Sequence, residues 1–365
     1  MTHNIKNYLA GCVKKGVFPG ASWIIGNTGG ILEKGYTGSL GHDLSTVGSL
    51  RLRLGPVKEN SIYDMASLTK IFVALAFMKQ LEDGLVRLED TVDYFLPSYY
   101  KNSPFGSVEL VALLTHTALF PGGTHLYQHV KTREELLETL RQSKFRTSET
   151  DKVVYTCEAF ILLGEIVSAV DGIGLNEVIK RRVTAPLGMK DTCYLPDTEL
   201  LPRIAPTEFC AIRGRMVRGE VHDENAMIMG GVSGNAGIFS TAPDMAKLGA
   251  AMLCSLESGG FLKKASAIIM CRNYTPGMGQ NRGLGWMLAG HGSSAGDLLS
   301  PASFGHTGFT GTSIWIDPER KFYAILLSNR IHPKRDNTEI FRTRHIFHNL
   351  AVLEYGNKTE GYANA

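Results

Sequence analysis

Tyr63-Asp64-Met65-Ala66-Ser67-Leu68-Thr69-Lys70 runs straight into Ile71-Phe72-Val73-Ala74-Leu75-Ala76-Phe77-Met78. The second half is apolar on every side, which predicts a helix buried almost all round and ending near Asp83-Gly84. Ser67 and Lys70 then fall in its first turn, three residues apart and on one face. A serine hydroxyl is a weak nucleophile until a base takes its proton. A buried lysine amine can be that base if desolvation lowers its pKa. The unpaired N–H groups and positive potential of a helix N-terminus favour both a neutral amine and an oxyanion nearby.

A second S-x-x-K, Ser98-Tyr99-Tyr100-Lys101, lies between Pro97 and Asn102-Ser103-Pro104. That is turn-forming composition with no buried helix behind it, so Ser67 is the better nucleophile. For Ser67 itself, a plain helix N-cap is the competing reading.

The 365 residues can bury a large core. A hydrophobic fraction of 44%, a charged fraction of 20% and a net charge of +3 describe an ordinary globular chain. No basic, aromatic-laced run suggests nucleic acid, and the apolar run from Ile71 to Met78 is too short to span a bilayer. The start, Met1-Thr2-His3-Asn4-Ile5-Lys6, lacks the marks of a signal peptide, so a cytoplasmic protein is expected. Six scattered cysteines without a C-x-x-C pair read as reduced thiols.

Outward from the central stretch, Asn4 to Lys15 has helical spacing, and Asn27-Thr28-Gly29-Gly30 between short apolar segments signals a hairpin. Residues 37–60 read as an irregular connection. The middle is mainly helical, with candidates at Ser107–Thr115, Thr132–Arg141, Glu158–Val170, Leu175–Val183 and Asp244–Leu256. Strands are expected at Gly283–Leu288, Thr312–Ile316 and Phe322–Ser328, and a last helix at Thr338–Leu353. The pattern predicts an α+β chain whose one antiparallel sheet is built from both termini and flanked by helices. Residues of about 1–60 and 282–365 would form that lobe, about 61–281 a mainly helical lobe, and Ser67 would sit at their junction.

Two further stretches join the serine. Val153-Val154-Tyr155-Thr156-Cys157-Glu158 puts a tyrosine ahead of a buried helix. Phe304-Gly305-His306-Thr307-Gly308-Phe309-Thr310-Gly311 puts a small-residue turn beside a strand. In order and spacing these resemble the S-x-x-K, Y-x-N and K-T-G elements of the class C β-lactamase, DD-peptidase and esterase superfamily of serine hydrolases. Leu113-Leu114-Thr115-His116-Thr117, Pro186-Leu187-Gly188-Met189, Gly237-Ile238-Phe239-Ser240-Thr241 and Ile316-Asp317-Pro318 extend the resemblance over nearly the whole chain.

The resemblance implies a single β-lactamase-like catalytic unit over residues 1–365, needing no cofactor or metal and acting on a small molecule through an acyl-serine. The acyl donor would be an ester, a D-amino-acid amide or a β-lactam. Ser67 would be the nucleophile, with Lys70 and Tyr155 sharing the acid–base work. The main-chain N–H groups of Ser67 and Phe309 would form the oxyanion hole. Cys157, His306, Thr307 and Gly308 would contact substrate. A non-hydrolysing, penicillin-recognising sensor is the rival from another class.

Two departures bear on substrate. Cys157 stands where the pattern has asparagine, which weakens side-chain amide recognition. His306 stands where it has lysine, so carboxylate anchoring is expected to be weak and pH-dependent. Both favour small activated esters over penicillins.

Other patterns carry less. Gly292-Ser293-Ser294-Ala295-Gly296 matches G-x-S-x-G, but Pro301 argues against the helix a nucleophile elbow needs. His125 with His129, and His345 with His348, lack the glutamate of H-E-x-x-H. His222-Asp223-Glu224-Asn225 could line the cleft, bind a metal or simply hold a loop, and His116 reads as a helix cap. Cys157 as a nucleophile has no neighbouring histidine to activate it.

Overall fold

The computed structural model describes residues 4–42, 54–122, 125–290 and 292–356. Both chain ends build one six-stranded antiparallel sheet. Its strands run, in spatial order, Gly30–Gly38, Gly20–Asn27, Phe322–Ser328, Ser313–Asp317, Phe304–Thr307 and Met287–Leu288. Alternation along the central strands sorts side chains to two faces. Trp23, Ile25, Ala324 and Leu326 pack under the first and last helices, Ile5–Lys14 and Glu339–Tyr355. Ile24, Tyr323, Ile325 and Leu327 face the large core, where the Ala242–Glu257 helix lies against them. Gly35 sits opposite Trp23, and a Cβ there would come within 2.0 Å of the indole.

The Thr69–Glu82 helix is the axis of that core. Ile71 to Met78 are all buried, as a run apolar on every side demands. It packs against Glu158–Asp171. Burying each of its large side chains is worth about 1.5–3 kcal/mol, so the position of its first turn is set by the core rather than by local sequence.

The expected helices at Thr132–Arg141, Glu158–Val170 and Asp244–Leu256 are present within two residues at each end. Three expectations change. Ser67 lies in a 3₁₀ turn, Ala66–Leu68, that precedes the α-helix, with Ala66 in the left-handed region at φ 47°. The strand expected at Gly283–Leu288 shrinks to Met287–Leu288, because Gly285 adopts φ 78°. Leu175–Val183 becomes a short α-helix, Leu175–Ile179, continued as a π-helical turn through Thr184. A small sheet was not foreseen, since strands of two or three residues carry no readable period. In it Tyr63–Asp64 and Cys193–Tyr194 flank Ile238–Ser240. Much of the irregular connection, residues 43–53, lies outside the described residues.

The Gly-rich loop at 230–237 crosses the Glu158–Asp171 helix at backbone contact. A Cβ on Gly234 would stand 1.9 Å from the Phe160 carbonyl oxygen. Gly234→Ala should therefore push the loop off the helix and destabilise the protein by about 1–3 kcal/mol. A lower urea midpoint with an unchanged slope would show it.

Candidate active site

Lys70 is wholly buried, and its Nζ donates to Ser67 Oγ at 3.1 Å and to the Asn235 carbonyl at 3.0 Å. The small sheet holds the serine in place. Met65 N–H bonds the Ile238 carbonyl at 2.9 Å, and the Thr69 hydroxyl accepts from Ile238 N–H at 3.1 Å. Buried Asp64 accepts from Ala66 N–H at 2.8 Å and from His222 N–H at 2.7 Å, which supports the strained Ala66 turn.

The sequence reading makes Lys70 a base if desolvation lowers its pKa. Burial pushes its pKa down, Tyr155 and Cys157 beside it push it up when they carry charge, and the net direction is up. That direction holds the proton on Lys70 while its neighbours carry charge, whereas burial favours the neutral amine when they are protonated.

Tyr155 sits on the loop just ahead of the Glu158–Asp171 helix. Its ring centroid is 4.9 Å from Lys70 Nζ, and its hydroxyl is buried without a hydrogen bond to protein. His116 clamps both of its neighbours. The His116 carbonyl accepts from Val154 N–H at 3.3 Å, and its Nδ1 accepts from Thr156 N–H at 3.3 Å. The imidazole also lies 4.5 Å from the Tyr155 ring. Burial, with Arg282 and Lys70 close by, holds His116 far below the usual histidine range. It is a neutral acceptor that closes the Leu110–Thr115 helix in the left-handed conformation, φ 59°. The capping role was legible in sequence; the grip on Tyr155 was not.

The third wall is the turn after Phe304–Thr307. Gly308 N–H bonds the Thr312 carbonyl at 2.8 Å, and the Thr310 and Thr312 hydroxyls reach the Asp64 and Met65 carbonyls. A Cβ on Gly308 would lie 2.1 Å from Thr312 Oγ1 and 2.5 Å from the Met65 carbonyl, so only glycine lets the turn approach the serine segment. Arg344, buried on the last helix, donates to the Gly308 carbonyl. A trans peptide points its N–H opposite its carbonyl, so this bond fixes the direction of the Phe309 N–H. Arg344→Leu should lower kcat on an uncharged ester by up to about 10²-fold with KM little changed. An uncharged ester gives the guanidinium nothing else to bind, so steady-state kinetics on one isolates the effect.

His306 does not behave as a titrating anchor. Its Nδ1 bonds the Thr307 carbonyl at 2.8 Å, its Nε2 is buried and unpartnered, and only 2% of the residue is exposed. Burial, then Arg282 and Lys70, depress it far below the ordinary histidine range, so it is neutral near pH 7. The cations on this side are arginines that sequence reading passed over. Arg282 stacks 5.2 Å from the Tyr155 ring centre, and burial pushes it down only to about 10. Arg344 falls to about 9 for the same reason, with Arg330 adding repulsion. Cys157 is pushed up to about 11 by burial, which makes it an inert thiol rather than a rival nucleophile.

The cleft has two arms that meet at Ser67, Tyr155 and Phe309. The larger, about 750 Å³, is lined by Arg282, Arg330, Arg344, His306, Thr307 and Gly308 among others. The smaller, about 240 Å³, is lined by Cys157, Glu158, Asp223 and Glu224 with Tyr127 and Arg335. Phe309, 46% exposed, stands between them with its ring stacked on His222 and under the Arg330 guanidinium.

Of the remaining sequence candidates, His125 and the His222-Asp223-Glu224-Asn225 stretch line the smaller arm, and the others lie apart from the nucleophile. Ser98 is exposed on a short helix, Pro97–Tyr100. Ser294 accepts from Trp315 Nε1 at 3.2 Å in a loop that follows no strand-to-helix turn. His345 pairs with Asp297 and His348 with Ser313, while His125 and His129 are exposed. His222 bonds Glu208 at 2.7 Å, which holds the loop against the cleft. Among the described residues no group of three His, Cys, Asp or Glu side chains is placed to hold a metal ion. All six cysteines are unpaired, and no described helix is long and apolar enough to cross a membrane.

Fold and site together define a class, the serine hydrolases of the β-lactamase fold. The β-lactamase family model matches residues 5–347, and the chain belongs to that family. A Salmonella enteritidis protein with the provisional name D-alanyl-D-alanine carboxypeptidase is 28% identical over 361 residues, covering 89% of this chain and 82% of that protein. Simvastatin synthase from Aspergillus terreus superposes with a TM-score of 0.75 at 19% identity, covering 98% of each chain. EstCE1, a hydrolase with promiscuous acyltransferase activity, superposes with a TM-score of 0.73 at 19% identity, covering 95% of this chain and 97% of its own. At such identities these two likenesses are of fold alone.

Proposed function

We propose that the protein cleaves an ester, a D-amino-acid amide or a β-lactam through an acyl-enzyme on Ser67. The observation that carries this is the 3.1 Å bond from Lys70 Nζ to Ser67 Oγ, made at the point where both arms of the cleft and Tyr155 converge. The neutral amine of Lys70 accepts a proton and its ammonium does not, so its charge is tied to that of Tyr155. The base role would therefore belong to the Lys70 and Tyr155 pair, whichever member is deprotonated taking the Ser67 proton. Tyr155 would then return the proton to the leaving group and later activate the deacylating water. The N–H groups of Ser67 and Phe309 would receive the developing oxyanion.

The arginine-lined arm alters the substrate reading. Cations at Arg282 and Arg344 supply the charge that His306 does not, so a carboxylate on the leaving side has a partner in this chain. The provisional name of the Salmonella relative fits a donor of that kind. Intact-mass spectrometry after incubation with aryl esters, β-lactams and a phosphonate tests the proposal. A single adduct on Ser67 is expected, and no adduct from any of the three would refute it.

A further inference from the structure

The smaller arm holds a buried carboxylate, Glu158, that meets the backbone N–H groups of Cys157 and Glu158 at its helix start but leaves one oxygen unpaired. Glu158 is 5% exposed, lines this arm, and its Oε1 accepts no hydrogen bond from the protein. Leaving such an oxygen unpaired costs about 1–3 kcal/mol, more if it is charged. The mechanism above gives Glu158 no role, because the acid–base groups lie on Ser67, Lys70 and Tyr155.

Its surroundings say what could fill the gap. Asp223 shares the arm and uses Oδ1 to accept from Ala226 N–H at 2.8 Å and Asn235 Nδ2 at 3.1 Å. Glu224 is matched by Arg335, which also pairs with Glu208. Among the described residues neither Glu158 nor Asp223 has a basic side chain in ion-pair contact. Lys70 is near enough to influence Glu158, but its Nζ is held by Ser67 Oγ and the Asn235 carbonyl. The arm thus carries an excess of negative charge. Tyr127, Tyr155 and Phe309 also line it, and their ring faces attract cations.

We propose that this arm is a subsite for an ammonium group on the substrate, bound by the unpaired Glu158 Oε1 with Asp223 nearby and aromatic rings lining the same arm. Its volume of about 240 Å³ suits a short amine-bearing group, such as the α-amino group of an aminoacyl donor, and not a long acyl chain. With arginines in the opposite arm, the cleft is polarised, negative on one side of Ser67 and positive on the other. Burial, with Asp223 adding repulsion, holds Glu158 up at about 7 against the backbone N–H groups and the Lys70 charge that pull it down.

This inference rests on the acyl-serine reading, and the experiment separates the two. Three thioesters of one leaving thiol would be compared on the full chain: D-alanyl, N-acetyl-D-alanyl and the uncharged isosteric isobutyryl. The wild type is expected to prefer D-alanyl over isobutyryl by tenfold or more in kcat/KM, and the N-acetyl compound should lose that advantage. Because the ammonium also activates the thioester chemically, the deciding figure is the change in that ratio on Glu158→Gln. It should fall at least fivefold while a phosphonate still labels Ser67. As a check independent of the variant's folding, propylammonium should inhibit wild-type isobutyryl hydrolysis competitively and 1-butanol should not. An unchanged ratio in a variant that still labels, or equal inhibition by the two small molecules, overturns the subsite. Failure of every thioester to turn over, with no label on Ser67, overturns the acyl-serine reading instead.

Discussion

Replacing Ser67 by alanine is expected to abolish both covalent labelling and turnover, with a loss of kcat of roughly six orders of magnitude, as removal of a serine nucleophile produces elsewhere. Among the described residues no other hydroxyl or thiol is bonded to Lys70 as Ser67 is. The Cys157 thiol is held up near 11, and the serines of the two competing motifs are remote from the site or bonded to Trp315. Removing Ser67 Oγ leaves Lys70 Nζ bonded to the Asn235 carbonyl, so the fold should tolerate the change. Ser98→Ala and Ser294→Ala are the controls. Labelling that persists in Ser67→Ala, measured by intact mass, would remove the serine from the mechanism.

Tyr155→Phe carries the second largest effect. Positioned acid–base catalysis contributes about 10²–10⁴-fold, and the tyrosine is asked to serve twice, sharing the base role in acylation and acting as acid to the leaving group. The ring would still stack between His116 and Arg282, so binding should change little and the loss should appear in kcat. Lys70→Ala should cost a similar factor by a different route, because it removes the amine bonded to Ser67 Oγ and leaves the Asn235 carbonyl without its donor. Single-turnover acylation rates distinguish the two from wild type. A Tyr155→Phe enzyme that acylates at the wild-type rate would give the base role to Lys70 alone.

The polarity of the cleft also changes how substrate preference should be engineered. From sequence, restoring asparagine at 157 and lysine at 306 would look like a route to β-lactam hydrolysis. In the folded protein His306 is buried beside Arg282 and Lys70. A lysine there would place a further buried basic group next to two others, and desolvation and repulsion would oppose it. The charge to alter is Arg282.

The fold was legible because its signals are local and periodic. The run from Ile71 to Met78 is apolar on every side, the turn at Asn27 to Gly30 is chemically specific, and the strand Phe322–Ser328 is fully buried and β-branched or aromatic enough to read. Ser67, Lys70 and Tyr155 were legible because their spacing encodes a helix turn and a loop ahead of a helix. The protonation of Lys70 was not, since it depends on Tyr155 and Cys157, some eighty residues away, arriving beside it. Nor were Arg282, Arg344, Asn235 and Glu158. Each is an unremarkable letter in its own segment and gains a role only when the sheet edge, the last helix and the glycine loop converge on one cleft. Periodicity is a property of neighbours in sequence, whereas burial and electrostatic coupling belong to neighbours in space. The nucleophile was therefore written in the chain, and its charge environment exists only in the fold.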